Sequence, residues 1–198
     1  FDDRRVCLVA RPRSEDKRMQ IIEAAIEAIA EAGLGASTAL IARKAGVAEG
    51  TLFRYFPNKD ALYNALFIHL KQSFCQSMID RLDSKNDHKA NARFIWNSFI
   101  EWGLAHPQAN LTMRKLEVSN RISDESEKVV TDLYPELNEI CEQAISPVFR
   151  SPEFHSFGDE LFFALAQTTM DFATREPNRA EEYKAAGFDA MWRALCVA

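Results

Sequence analysis

Residues 37–59 read STALIARKAGVAEGTLFRYFPNK. Ile41, Ala42 and Ala45 offer a compact face on a first short helix. Gly46 supplies the positive φ of a turn, Val47 fills the corner, and Leu52 and Phe56 pack a second short helix down. Glu49, Gly50, Thr51, Arg54 and Tyr55 are left facing outward. Short or hydrogen-bonding groups at the leading end of such a helix have the chemistry to read base edges in a DNA major groove. Ser37 stands where an N-cap is wanted, its hydroxyl able to accept from the free amides of the first helix. Glu49 has two possible roles: accepting from a cytosine amine, or stabilising the positive end of its own helix. A glycine-turned helix pair is also ordinary packing, so this pattern alone leaves both readings open.

A second set of candidates is apolar. Phe67, Lys71 and Met78 fall at i, i+4 and i+11 of a long helix; Ile95, Trp96 and Phe99 cluster on the next; Asp159 and Phe162 lie one turn apart near the C-terminus. Flat aromatics with an adaptable Met suit planar apolar ligands, and a carboxylate beside an aromatic ring suits a cationic one. The same stripes are what a packed core needs, so this reading too has a plain alternative.

Other chemistry has little support. Cys7, Cys75, Cys141 and Cys196 never form a C-x-x-C pair, and His69, His88, His106 and His155 are scattered, so neither a metal site nor a disulfide framework is expected. No nucleophile elbow, P-loop or dinucleotide fingerprint occurs. Glu136, Glu139 and Glu142 recur at helical spacing, which reads as a solvated face. No catalytic residue and no cofactor is assigned; a helical-bundle enzyme stands only as an alternative.

The elements that must position these groups are helical, because hydrophobic periodicity dominates and hairpin signals are missing. Helices are predicted over about 15–32, 38–45, 49–56, 59–82, 91–105 and 108–120. A further one runs from Ser123 toward Phe149, with Pro135 and Pro147 as kinks or breaks. Two more are predicted over about 157–175 and 177–196. The expected architecture is all-α, about nine helices: a three-helix head over residues 9–58 and a larger helical body over 59–198. Residues 1–8, ahead of Val9, are expected to be a leader or remnant.

With 198 residues, 47% hydrophobic and 27% charged, the chain has the composition of a globular protein, and 14 Phe and 3 Trp exclude disorder. No apolar run is long enough to span a bilayer, and a cytoplasmic location is expected. The net charge of −5 argues against coating nucleic acid non-specifically. Its distribution is uneven: residues 35–60 carry four Lys/Arg against two Asp/Glu, and residues 61–198 carry 14 against 20. A small basic part on a larger acidic one is compatible with a DNA-reading head.

The run A-x-x-AGV-x-x-GTLFRYFPNK after a long amphipathic helix resembles the N-terminal domain of TetR-family transcriptional regulators. The resemblance implies that Tyr55 and Lys59 contact phosphates and that Thr38, Arg43, Gly50, Thr51 and Arg54 lie near the DNA. Ala48 stands where the family often has Ser, and Phe53 where it often has Tyr. HLKQSFCQSMI, RFIWNSFIEWGLAHP and ALAQTTMDFA extend the resemblance, from Val9 onward, to multidrug-sensing repressors within the family. It implies ligand contacts at Phe67, Lys71, Met78, Ile95, Trp96, Phe99, Asp159 and Phe162, with Cys141 added. It also implies a homodimer on palindromic operator DNA, released by hydrophobic, often cationic aromatic compounds. The target it implies is the gene of an AraC-type activator of drug efflux. Leu161, Phe162, Leu165, Met170 and Phe172, with Phe188, Met191, Trp192 and Leu195, make the last two helices candidates for a four-helix dimer interface. A DNA-binding regulator without a ligand is the other alternative.

Overall fold

A computed structural model of the chain describes residues 13–82 and 87–196. The expected leader at residues 1–8, with Cys7, lies outside them. Among the described residues the fold is all-α, in eleven helices.

The head holds α1 (Arg13–Ala32), α2 (Thr38–Lys44) and α3 (Glu49–Tyr55). α1 buries Ile21, Ile22, Ala25, Ala28 and Ile29 along one stripe, against which Ile41, Leu52 and Phe56 pack. Ser37 caps α2, its Oγ accepting from the Leu40 amide at 3.1 Å. Gly46 has a φ of 65°, a left-handed conformation that a β-carbon disfavours, and it turns the chain between α2 and α3.

α4 (Lys59–Gln76) leaves the head behind an Asn58 cap that accepts from the Ala61 amide at 2.8 Å. The expected helix to Leu82 is not continuous. It stops at Gln76, where the Ser77 hydroxyl turns back on the Phe74 carbonyl at 2.6 Å, and a single 3₁₀ turn, Ile79–Arg81, follows. Met78 therefore sits beyond α4 rather than on its face, fully buried.

The body continues with α5 (His88–Ala105), which starts earlier than periodicity suggests because Asp87 caps it through the Ala90 amide at 2.7 Å. α6 (Pro107–Glu117) begins at a proline that needs no helical donor. The stretch from Ser123 toward Phe149 is three helices rather than one kinked one: α7 (Asp124–Leu133), α8 (Pro135–Ala144) and α9 (Pro147–Arg150). Pro135 and Pro147 each take the first position of a new helix, which raises the count from about nine to eleven. α10 (His155–Arg175) and α11 (Ala180–Leu195) are joined by the short turn Pro177–Arg179.

α10 packs along α11, and α5 crosses both while also touching α8. Gly187 permits this approach, since a β-carbon there would collide with the Thr169 hydroxyl and come within 2.9 Å of Trp96. Met170, Phe188, Met191 and Leu195 are buried within the single chain. They satisfy the core, so less of the last two helices is free for a partner than their composition suggests; Phe172 stays exposed. Head and body meet where α6 lies on α1. Thr112 donates to the Ile26 carbonyl at 3.0 Å, and Lys115 to those of Ile29 and Ala30 at 2.9 and 3.1 Å. α1 has no basic residue in its own last turn, so Lys115 supplies the cation its C-terminus favours.

Candidate nucleic-acid interface and ligand cavity

The outward side of the head carries Arg43, Glu49, Gly50 and Arg54 exposed, with Thr51, Tyr55 and Lys59 half-buried beside them. Ser37 is also exposed, its hydroxyl engaged as the cap. Thr38 donates to the Glu49 carboxylate at 2.5 Å, so the leading ends of α2 and α3 are tied together. That carboxylate lies in the first turn of α3, where it also meets the positive helix end. Lys59 donates to the Leu34 carbonyl at 3.0 Å, and the Tyr63 hydroxyl one turn later donates to the same oxygen. Two of the three Lys59 ammonium protons remain for another acceptor. Lys44 pairs with Glu31 at 3.0 Å and Glu27 at 3.4 Å, both on α1, so its charge is already matched within the head. Phe53 was not among the sequence candidates. It is 42% exposed on the outward face of α3, and an apolar ring there has the chemistry to meet a thymine methyl.

Below the head the body carries two adjoining cavities, both partly open to solvent. The larger, of about 640 Å³, is lined by Phe67, Lys71, Met78 and Phe99 among the sequence candidates. The smaller, of about 140 Å³, has Trp96 in its wall. Ile95, Cys141, Asp159 and Phe162 line both. All nine candidates thus reach a cavity, but Trp96 and Phe99 stand on opposite sides of a divide. The Phe162 ring forms it, edge-on to Trp96 at 5.7 Å and 5.1 Å from Phe99.

The larger cavity is acidic. Lys71, its ammonium 5.4 Å from the centre of the Phe67 ring, is paired with Glu117 at the end of α6. Burial pulls the Lys71 ammonium down, but the Glu117 carboxylate outweighs it and holds the group above its ordinary value. Asp124 and Glu127 of α7 and Asp159 of α10 line the same space. Desolvation raises the Asp159 carboxyl; His155, with Nδ1 3.2 Å from it, acts the other way, and Glu117 adds to the rise. Glu127 is raised by desolvation first, then by Glu117 and Asp124. Burial pushes the Cys75 and Cys141 thiols up to about 11, so both are neutral, soft parts of the wall. Sequence reasoning passed over Glu117 and Glu127, because a carboxylate on a polar helix looks solvated until a facing helix covers it. Among the described residues no group of three His, Cys, Asp or Glu could hold a metal ion, and no helix is long and apolar enough to cross a membrane.

Residues 21–66, from α1 through α2 and α3 into the first half of α4, match the family model of bacterial regulatory proteins, tetR family. The match covers the head and the start of α4. It is 38% identical over 106 residues to the fatty acid metabolism regulator protein of Bacillus subtilis, covering 52% of this chain and 55% of that one. It is 34% identical over 95 residues to the HTH-type transcriptional regulator BetI of Pseudomonas aeruginosa, covering 48% of this chain and 47% of that one. The matches span about half the length of these curated relatives. The TetR-like fold extends further: a tetR-family transcription regulator from Shewanella sp. PV-4 superposes with a TM-score of 0.70 at 24% identity, covering 92% of this chain and 99% of that one. Beyond the head, this likeness is one of fold.

Proposed function

We propose that the protein is a ligand-responsive transcriptional repressor that binds palindromic operator DNA as a homodimer and releases it when a hydrophobic, often cationic aromatic compound enters the body. Residues 9–58 form the DNA-reading head, and residues 59–198 bind ligand and dimerise. Thr51 and Arg54 face bases, while Tyr55 and Lys59 grip phosphates. Ser37, Thr38, Arg43, Glu49 and Gly50 set the helix against the groove.

One observation carries the reading. α4 is a single helix that begins at Lys59, beside the end of α3, and brings Phe67 and Lys71 into the wall of the larger cavity. A ligand that prefers one placement of α4 therefore biases where the head stands, and only such a difference in affinity shifts the equilibrium. The acidic cavity favours cations, and its aromatic wall favours planar ones. The sequence resemblance beyond the head supports the finer assignment to RamR-type multidrug sensors, which control an activator of multidrug efflux.

The test is footprinting on the DNA flanking the protein's own gene, with fluorescence anisotropy on the protected duplex, with and without ethidium. The expected result is a two-fold symmetric footprint that ethidium weakens in proportion to its binding to the protein. A footprint that persists when ethidium fills the body leaves a ligand-independent regulator. No footprint on any duplex removes the proposal.

A further inference from the structure

The exposed face of α3 carries two features that folding alone does not require. Gly50 lies inside the helix without a positive φ, and a β-carbon there would meet nothing within 4 Å. Glycine weakens a helix relative to alanine, so this position gives up stability with no close approach inside the protein to demand it. Glu49 beside it is exposed, and among the described residues its partner is the Thr38 hydroxyl at 2.5 Å rather than a cation. Other acidic groups of the head differ: Glu27 and Glu31 are paired with Lys44, and Asp60 with Arg121. A carboxylate without a cation repels the phosphates of a duplex, and a donor on a base edge is what offsets that repulsion. Thr38 donates to Oε1, which restrains the group and leaves Oε2 to accept from elsewhere. In the major groove the donor suited to a carboxylate is the cytosine N4 amine; the adenine amine stands beside the N7 acceptor, which a carboxylate opposes.

Phe53 follows at i+4 on the same side of α3, 42% exposed. Four residues rise about 6 Å along a helix against ~3.4 Å per base pair, so the two side chains stand about two base pairs apart. The apolar group on a major-groove edge is the thymine methyl. We infer that Glu49 and Phe53 are specificity-determining residues that read a cytosine amine and, about two base pairs away, a thymine methyl in each operator half-site. Thr38 is the positioning residue that aims the Glu49 carboxylate, and Gly50 lets the base edges come close to the helix. The inference rests on the proposed DNA-reading role of the head and names the bases it recognises.

The experiment is selection of duplexes from a randomised pool by the full chain and its variants, with anisotropy on the selected duplex and on random duplex. The parent should select a symmetric site with a C·G pair and a T·A pair about two steps apart in each half. Glu49→Ala should lose the cytosine preference alone, weakening the selected duplex about five- to 150-fold, the range of one good base contact. It should also bind random duplex more tightly, because the repelling charge is gone. Glu49→Gln should move the preference at that position to adenine, whose N6 and N7 an amide pairs with. Thr38→Val should blunt the same preference, and Thr38→Ser should restore it, with the other positions unchanged. Deoxyuridine in place of the selected thymidine should weaken the parent about three- to fourfold, the worth of one buried methyl, and leave Phe53→Ala unaffected. Gly50→Ala should melt higher than the parent yet bind the selected duplex more weakly.

If Glu49→Ala selects the parent's sequence, or weakens selected and random duplexes alike, the carboxylate serves its own helix and the inference is overturned. An equal deoxyuridine effect in the parent and Phe53→Ala overturns the thymine assignment, and parental binding by Gly50→Ala overturns the close approach. If the parent selects no sequence at all, the DNA-reading proposal itself fails, and this inference with it.

Discussion

Arg121, in the loop after α6, holds Asp60, in the first turn of α4: its Nε and Nη2 donate to one carboxylate oxygen at 2.9 and 2.6 Å. The same loop binds α4 again two residues later, where the Ser123 amide donates to Asn64 Oδ1 at 2.9 Å. Its neighbours Asn120 and Ile122 line the larger cavity. One short segment therefore touches the cavity on one side and the head end of α4 on the other. The pair is solvent-exposed, so Arg121→Ala should cost less than about 1 kcal/mol in thermal unfolding. It should nevertheless reduce the ratio of operator Kd with and without ethidium, because α4 is no longer held to the segment that a ligand displaces. Arg121→Lys should restore part of the ratio. An unchanged ratio in Arg121→Ala would show that this loop does not carry the coupling, leaving it to α4 itself and to the α6–α1 contact.

Lys59→Ala should weaken binding to operator and random duplex alike and reduce the salt slope by about one, since one fewer counterion is released. Because Lys59 also donates to the Leu34 carbonyl, a fall in melting temperature should accompany the loss. Thr51→Ala and Arg54→Ala should instead change which bases are preferred, at about 1–3 kcal/mol for a lost base contact. Anisotropy titrations on operator and scrambled duplexes at several salt concentrations separate the two kinds of effect.

Phe162→Ala should reduce ethidium affinity and ethidium-induced release while leaving ligand-free operator binding near that of the parent. The ring touches Trp96, Phe99 and Phe163, so truncation also merges the two cavities; because Phe162 is only half-buried, the stability loss should fall below the ~3–5 kcal/mol of a fully buried aromatic. Normal ethidium binding by the folded variant would make Phe162 a core residue only.

Ethidium affinity should rise with pH from about pH 4 toward neutrality, because ionised carboxylates favour a cation and the Asp159 and Glu127 carboxyls titrate above their ordinary range. The groups facing them are His155, Glu117, Asp124 and Lys71. Binding should therefore release protons in that window. For the ligand-free fold the linkage has the opposite sense: a carboxyl raised by folding contributes stability below its unfolded value and loses it as pH rises through the folded one. Titrations across the window in buffers of different ionisation enthalpy would count the protons. Asp159→Asn should flatten the profile.

Gly187→Ala should destabilise the body and, through Trp96, disturb the wall of the smaller cavity, while leaving the outward residues of α3 untouched. The added methyl meets Thr169 and Trp96, so α11 must move off α5 and α10, at about 1–3 kcal/mol for overpacking. Denaturant unfolding gives the magnitude, and an unaltered midpoint would show that the helix shifts freely.

The head is legible in the sequence because its information is local. Ser37, Gly46 and Asn58 act on backbone within a few residues of themselves, and the spacing of Ile41, Leu52 and Phe56 decides which face is buried. Those same constraints leave Glu49, Thr51 and Arg54 outward before any tertiary contact is considered. Pro107, Pro135 and Pro147 likewise mark helix starts, although whether a proline kinks one helix or opens another depends on what the following turn can pack against. The end of α4 at Gln76 rests on the Ser77 hydroxyl choosing the Phe74 carbonyl, an option that apolar periodicity does not register. The cavity is a different kind of fact. Trp96 and Phe99 lie three residues apart on one helix, yet Phe162, from far along the chain, separates them into two chambers. Glu117 and Glu127 read as solvated until α4, α6, α7 and α10 converge on Lys71. Periodicity reports which face of a helix is apolar, and only the meeting of distant faces decides whether that face fills space or encloses it.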